Sequence, residues 1–520
     1  MKSYRHKGAR SALLAGVAAT ALLLAGCTGG GSGGDSSATP AKDQSLTVGI
    51  STQPANFTAH NDKGQAGHTL NSLIHRGLLK YDSDGKVVPA LAESVEQVNP
   101  ATYTVKLRPN LTFSDGSPIT AENVKNSLLH MGQKDVGSRI YLAASDIDTI
   151  DVVDDLTATI HLRDNFDTFT NYLAHPDAYI AEDAELVKGA EALVGAGPYK
   201  VASIDEGKAI HLVKSDTFYD ASKVQLTKID LVYYTDATAR VNALRSGDVQ
   251  LIDYIPYEDF PTISSDSSLV LDSVDGPYMN VQFNVTTGPF ANPLVRQAVA
   301  YAINRETVID GALGGNGTAL SGYPLTGAYA DIPGAKMFTY DPDKARELLK
   351  QAGYPDGFEA SLLTSSTFPF YQDTATAILP DLEAVGIKAK LNSVDWPTYV
   401  QSKGTTGQFD LVVFNLAGVV TDPSYIAGNL SGAQLLHSFG YSNDELNSAL
   451  LAGRAGADEK ARTAGYEQAF KLLATDVPEV PLAQRGNAWA YSSHLKGFKN
   501  LDGFPTMFSG YTLENAYLVG

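Results

Sequence analysis

The chain has 520 residues, a formal charge of −19 and a single cysteine. The acidic balance disfavours nucleic acid and anionic lipid as partners, and one thiol excludes an internal disulfide, so stability has to come from a hydrophobic core. A hydrophobic fraction of 43% supplies that core, and the length calls for two or more lobes, because single cores stop growing near ~250–300 residues.

The chain opens on an export signal. Lys2, Arg5, Lys7 and Arg10 precede an apolar run from Ala12 to Leu24, which closes on Leu24-Ala25-Gly26-Cys27. This arrangement is similar to the lipobox of a bacterial lipoprotein, in which cleavage before Cys27 leaves its thiol to carry diacylglycerol. The run is short for a spanning helix, which needs roughly 20 residues. Residues 1–26 are therefore expected to be a signal peptide, and residues 27–44, rich in Gly, Ser and Ala, a lipidated flexible tether. The expected location is extracytoplasmic, anchored to the cell membrane. Thr28 is not the aspartate of inner-membrane retention, and the long tether favours the outer face of a Gram-positive-type envelope over a periplasm.

Folded sequence begins with the alternating run Leu46-Thr47-Val48-Gly49-Ile50, a strand pattern. Thr102 to Leu107 alternates likewise, Ser114-Asp115-Gly116 marks a turn, and Thr120 caps a helix through Val124 and Leu128. Further strands are predicted at Thr157 to Leu162, Ile210 to Val213 and Lys228 to Tyr234, with a helix from Asp236 to before Gly247. In the second half, Asn292-Pro293 and Asp341-Pro342 each place a cap before a proline at the first helical position. Val295, Ala298, Val299, Ala302 and Ile303 form one apolar face, Ala345, Leu348, Leu349 and Ala352 another, and Gly353 ends the second helix. A strand at Phe358 to Leu363, a helix from about Gln372 to Val385 ending at Gly386, and strands at Ile387 to Val394 and Phe409 to Asn415 follow. Strand, helix, strand with short links predicts parallel pairing in an α/β lobe.

Four segments carry a resemblance. The first is Leu91-Ala92-Glu93-Ser94 with Tyr103, Leu107-Arg108, Phe113, Asp115-Gly116 and Thr120-Ala121-Glu122-Asn123-Val124. The second is Gly195-Ala196-Gly197-Pro198-Tyr199; the third runs from Phe283-Asn284 through Pro289-Phe290 and Val295-Arg296-Gln297-Ala298 to Ala302-Ile303-Asn304-Arg305. The fourth is Ala352-Gly353-Tyr354-Pro355-Asp356-Gly357-Phe358. In order and spacing the chain resembles the extracellular solute-binding proteins of the peptide and nickel ABC-importer family, family 5. The resemblance implies an α/β fold of the periplasmic-binding-protein type II, with two lobes around a ligand cleft and an additional subdomain inserted in the first lobe. The first lobe would comprise residues 45–85, 195–287 and 488–520, the insert 86–194, and the second lobe 288–487. Taken alone, the motif residues read as structural: Asp115-Gly116 as a hairpin turn, Gly197-Pro198 as a strand entry, and Arg296 as a pairing residue on a helix surface.

The resemblance also implies that ligand contacts come partly from Phe409 to Pro423. Dipeptide binders of this kind carry Gly-Trp ahead of an aspartate that pairs with the peptide ammonium; here the tryptophan position is Leu416 and the aspartate position Val419. Asp422 beside Pro423 reads as a loop-shaping residue, and Thr364 to Phe368 lacks the arginine of dipeptide binders. A free dipeptide is therefore disfavoured, and an oligopeptide held by backbone hydrogen bonds is the expected solute. An oligosaccharide is the alternative, for which Tyr278, Asn280, Phe368, Phe370, Asn415 and Phe504 offer aromatic and amide groups that either touch ligand or pack in the core. The tentative ligand set is completed by Leu416, Ala417 and Val419. A nickel chelate is a further alternative. None of the ten histidines lies in a chelating pair, so His437 is the one candidate, while Trp396 and Trp489 read as packing residues.

No catalytic residues are expected. Gly30-Gly31-Ser32-Gly33-Gly34 matches a hydrolase elbow only inside the tether, and the sequence has no phosphate-binding loop, so an ATPase must be a separate subunit. A sensor on the same scaffold stays open beside importer function. The expected partners are a small-molecule solute, permease and ATPase subunits, and the membrane through the lipid on Cys27. No nucleic-acid partner and no other cofactor or metal are expected, and the chain is expected to be a monomer.

Overall fold

Alternation at Leu46, Val48 and Ile50 builds the first strand, Ser45–Ile50, and all three apolar side chains are buried. A computed structural model describes residues 39–54, 56–61, 64–325, 327–418, 422–431, 435–503 and 509–520. Cys27, Val419 and Phe504 lie outside the described residues, as do the signal peptide and most of the tether.

The first strand enters a mixed sheet of eleven strands among the described residues. In spatial order these are Ile387–Val394, Phe358–Ser365, Leu411–Leu416, Leu269–Phe283, Val480–Ser492, Leu251–Ile252, Ser45–Ile50, Lys228–Tyr233, Ala209–Lys214 and Tyr199–Asp205, with Gly317–Ala319 added to Val480–Ser492. On one side, Phe358–Ser365 runs parallel to both Ile387–Val394 and Leu411–Leu416, with the helix Pro369–Ala384 as the crossover, as expected from the short strand–helix–strand links. On the other side, Ser45–Ile50 runs parallel to Lys228–Tyr233 and Leu251–Ile252. The 15-residue strand Leu269–Phe283 and the 13-residue strand Val480–Ser492 pair antiparallel in the middle. The chain crosses from one half to the other through the first and returns through the second.

A separate four-stranded antiparallel sheet, Ala92–Asn99, Thr102–Leu107, Thr157–Leu162 and Ile147–Asp154, falls within residues 86–194. The helix Ala121–Met131 covers it, with Val124 and Leu128 buried. Its apolar interior is continuous with that of residues 278–482 in one hydrophobic cluster. Arg454 on the helix Asp444–Ala455 adds a buried ion pair to Asp146, at 3.0 Å, and Arg462 pairs with Asp167.

Three details differ from the sequence reading. The helix expected from Gln372 begins at Pro369, because proline's fixed φ and missing N–H suit the first helical position, even though Phe368 ahead of it offers no capping side chain. The strand expected from Phe409 begins at Leu411. Arg296 is not a surface residue: it is 3% exposed, and its guanidinium donates to the carbonyls of Phe290, Ala291, Asp476 and Val477, tying the start of its helix to the turn after Glu459–Asp476.

Five of the histidines gather around the turn Pro176–Ala178. His60 and His130 face each other with 3.0 Å between their Nδ1 atoms, and His75 stacks on Tyr179 at 3.9 Å while its Nε2 bonds the Ala192 carbonyl. Burial lowers His75 from 6.5 to about 4. Between those two values the unfolded chain binds a proton at this residue and the native chain does not, so stability falls as pH falls, by about 1.4 kcal/mol per pH unit for one group. His75→Phe keeps the stacked ring and removes the titration. Its unfolding free energy, measured by denaturant titration between pH 6.5 and 4.5, is expected to decline less steeply than that of the parent; equal slopes would refute this account.

Candidate ligand-binding site

A cavity of about 390 Å³ opens where the two halves of the large sheet meet. Tyr254, Tyr257 and Glu258 wall it from the half containing Ser45–Ile50. Asp310, Phe368, Phe370 and Asp373 wall it from the other half, and Arg485-Gly486-Asn487, on the returning strand, close its inner end. The volume lies within the ~300–1,000 Å³ of small-molecule sites.

Each wall is fixed by its own framework. Asp253 accepts from the Ser51 amide at 2.8 Å and the Ser51 hydroxyl at 3.0 Å. Burial lifts Asp253 to about 6, against the pull of Arg240. Tyr254 follows in the left-handed region at φ 44, a conformation that costs a residue with a Cβ about 1–3 kcal/mol. Arg240 holds it there: Nη2 donates to the Tyr254 carbonyl at 2.8 Å, Nη1 to Tyr234 and Nε to the Asp253 carbonyl. The Tyr254 ring meets Phe368 at 5.8 Å and Phe370 at 6.0 Å between centroids. Across the cavity, Phe368 is backed edge-on by Trp396, which stacks on Tyr399.

The inner end is polar. An extra residue in Leu269–Phe283 between Asp275 and Tyr278 makes a bulge opposite Gln484 and Gly486, and such bulges re-aim side chains. At this point Arg485 is 2% exposed and packs against the Phe370 ring at 4.3 Å and the Tyr254 ring at 5.3 Å. Its Nε donates to Asn415 Oδ1 at 3.0 Å and its Nη1 to Asn487 Oδ1 at 2.8 Å. Asn487 is held in turn by the Asp502 carbonyl, and Asp502 accepts from Trp489 Nε1 at 2.7 Å.

Of the residues singled out in the sequence, Phe368 and Phe370 line the cavity, and Asn415 reaches it through Arg485. Tyr278, Asn280 and Leu416 lie deeper, fully or nearly fully buried along paired strands and away from the cavity wall. Tyr278 donates to the buried Glu479 at 2.7 Å. The Ala417 carbonyl accepts from Arg139, Asp422 accepts from the Ser424 amide and Tyr466, and Trp489 packs in the core. His437 is buried with Nδ1 bonded to the Ser438 carbonyl. The sequence reading missed Tyr254, Arg240 and Arg485. The last had a signal: Gln484-Arg485-Gly486-Asn487 interrupts an otherwise apolar strand from Val480 to Ala490.

Among the described residues, His68, His175 and Asp177 also converge, with ligand-type atoms within 4.8 Å of one another. They serve one another: His68 Nδ1 bonds Asp177 Oδ1 at 3.1 Å, Asn71 donates to the same oxygen, and the Asp177 amide donates to His175 Nδ1. Burial opposes ionisation of Asp177, but His68, His175 and Arg139 outweigh it and carry the carboxyl below its ordinary range. A positive charge from Arg139 at this spot works against a cation, and the cluster reads as a clasp between the helix Gln65–Ile74 and the turn Pro176–Ala178.

Two sheet halves joined by two long strands, with a ligand-sized cavity at the crossing, are the construction of a solute-binding protein. The chain matches the family described as bacterial extracellular solute-binding proteins, family 5 Middle, over residues 86–434, and it belongs to that family. The glutathione-binding protein GsiB of Salmonella typhi is 31% identical over 489 residues, covering 88% of this chain and 92% of the relative. The PBP AgaA of A. tumefacien R10, solved in complex with agropinic acid, is 34% identical with a TM-score of 0.84, over 92% of this chain and 99% of the other. The Helicobacter pylori DppA complex with the peptide STSA shares the fold at 22% identity and a TM-score of 0.79, over 92% and 98% of the two chains. The protein is thus the substrate-binding component of an ABC importer, acts outside the cytoplasm with a permease as its partner, and is not an enzyme. Among the described residues no helix is long and apolar enough to cross a membrane.

Proposed function

We propose that the solute is a short peptide or a peptide-like molecule, delivered to the permease by closure of two lobes about the cavity. The carrying observation is the cavity itself: about 390 Å³, walled by aromatic rings from both halves of the sheet, with hydrogen-bonding groups at its inner end. That size suits a short chain better than a long one. The glutathione-binding relatives and the agropinic acid complex of AgaA support a small polar solute of this kind. The lobes are residues 45–85, 195–287 and 488–520 on one side and 288–487 on the other, with 86–194 as the insert. The solute favours the closed state by binding it better, which is what signals the permease. Calorimetric titration of the purified protein with glutathione and with mixed tripeptides, alongside native mass spectrometry for co-purified solute, tests the reading. Saturable binding of a peptide is expected; binding of an oligosaccharide or a nickel chelate instead would overturn it.

Cys27 carries the anchoring lipid in the same proposal, with no other cofactor and a monomeric protein. The flexible tether expected to run to residue 44 is shorter than that at its C-terminal end: Ala41 donates to the Leu518 carbonyl, Pro40 bridges Val519, and Gln44 Nε2 donates to the carbonyls of Ala41 and Leu518. Cys27→Ser is expected to move the protein from the membrane to the soluble fraction with solute affinity unchanged. Continued membrane association of that variant would refute lipidation.

A further inference from the structure

We infer that Arg485 is the docking point for a carboxylate group of the solute, an inference that rests on the solute-binding reading above. The buried arginines Arg76, Arg240, Arg296 and Arg454 each have a carboxylate within 4.0 Å. Arg305 donates to four backbone carbonyls. Arg485 differs from all of them. It is 2% exposed and lines the cavity, yet no carboxylate of the described residues pairs with it. Two of its nitrogens are engaged by neutral amide oxygens, and Nη2 is buried with no well-formed hydrogen bond and no anionic partner among the described residues. The Tyr254 and Tyr257 phenols lie close enough for its charge and a side-chain hydrogen bond to lower their pKa, against the larger upward push of burial, but as neutral groups they do not neutralise it.

A buried cation without a counter-charge is costly, and leaving its partner out of the chain makes sense when the solute brings one. Fixing Nε and Nη1 on Asn415 and Asn487 sets the plane of the fork, and the Phe370 face packs against it, so a planar oxyanion meets a preset partner. The remainder of the cavity narrows the class. Glu258, Asp310 and Asp373 are exposed carboxylates on its wall, and burial together with the Glu258 charge raises Asp373 above its ordinary value. A polyanion such as a phosphate ester would be repelled on the way in. A molecule with one carboxylate end and a neutral or cationic remainder passes. The strand-borne Arg485 thereby takes over a task that the stretch Thr364 to Phe368, which has no cation, cannot perform.

The test compares tripeptides free of Asp and Glu, as acids and as C-terminal amides, by calorimetry on the parent, Arg485→Gln and Arg485→Lys. The acids are expected to bind the parent at least about 30-fold more tightly than they bind Arg485→Gln, with a distinctly smaller loss for the amides. Lysine, which keeps the charge but loses the fork, is expected to fall between. Acids and amides binding the parent equally, or Arg485→Gln weakening both alike, would overturn the inference. If neither form binds the parent, the short-peptide reading fails, and formate decides the Arg485 assignment. A rise in thermal midpoint with formate over chloride at equal ionic strength, lost in Arg485→Gln, supports it; no difference between the two anions overturns it.

Discussion

Replacing Arg454 by methionine is expected to cost about 3–5 kcal/mol of folding stability. Arg454 Nη2 lies 3.0 Å from Asp146 Oδ1, with side-chain exposures of 3% and 11%, and its guanidinium packs on the Phe166 ring at 4.1 Å. Burial raises the Asp146 carboxyl, and Arg454 is what offsets it. Without the cation, Asp146 is left charged in a place that water reaches poorly, or takes up a proton. The pair joins the helix Asp444–Ala455 to the start of Ile147–Asp154, which are remote in sequence, so the loss should appear in the cooperative unfolding transition and not as local fraying. Denaturant titration of Arg454→Met, Asp146→Asn and the double variant checks it. The double variant is expected to be less damaged than the sum of the two single changes. A single-variant loss below about 1 kcal/mol would show the pair to be solvated.

Gly195→Ala is expected to be at least as severe, beyond the ~1–3 kcal/mol usual for overpacking. A Cβ at Gly195 would lie 1.9 Å from the Ile74 carbonyl oxygen, and one at Gly197 2.3 Å from that of Leu73. Both obstacles are backbone at the end of the helix Gln65–Ile74, so no side chain can swing aside. The same segment is bonded to its surroundings, from Gly197 N to the Ile74 carbonyl and from Ser114 N to the Gly195 carbonyl. Gly353→Ala is the contrast. Nothing lies within 4 Å of its Cβ position, but φ is +92, so it should lose only about 1–2 kcal/mol of conformational strain. Thermal melts of the two variants give the order directly. Gly353→Ala proving as harmful as Gly195→Ala would undo the distinction.

These glycines show what was legible in the sequence. Gly195-Ala196-Gly197-Pro198-Tyr199 marked the family and a strand entry, and the strand Tyr199–Asp205 does begin there. The reason for the glycines, a helix end passing at contact distance, is a tertiary fact that no local pattern carries. Local signals worked wherever the chain itself makes the decision. Asp236 caps through its side chain to the Ala239 amide, Gly247 turns left-handed at φ 83, and Asn292 and Asp341 cap ahead of their prolines. The start at Pro369 escaped because Phe368 has no capping group. The binding site was only half legible. Phe368 and Phe370 were found because they are aromatic rings of the kind a ligand platform uses, and they lie half-buried on the cavity wall. Tyr254 depends on Arg240, fourteen residues earlier, and Arg485 depends on a bulge in a strand two hundred residues away. The stretch Thr364 to Phe368, where dipeptide binders place a cation, has none, and the cation sits on the returning strand.

The left-handed backbone at Tyr254 has one more consequence. Because Arg240 locks the carbonyl, the backbone that carries the Tyr254 ring is fixed within its own half of the sheet, independently of Phe368 and Phe370 on the opposite wall. Binding then has little backbone to freeze at this position, and the entropic toll of capture falls on the side chains, the solute and the hinge. Swapping the aromatic ring should thus change which solutes are welcomed, whereas loosening the guanidinium brace behind it should weaken the grip on all of them alike.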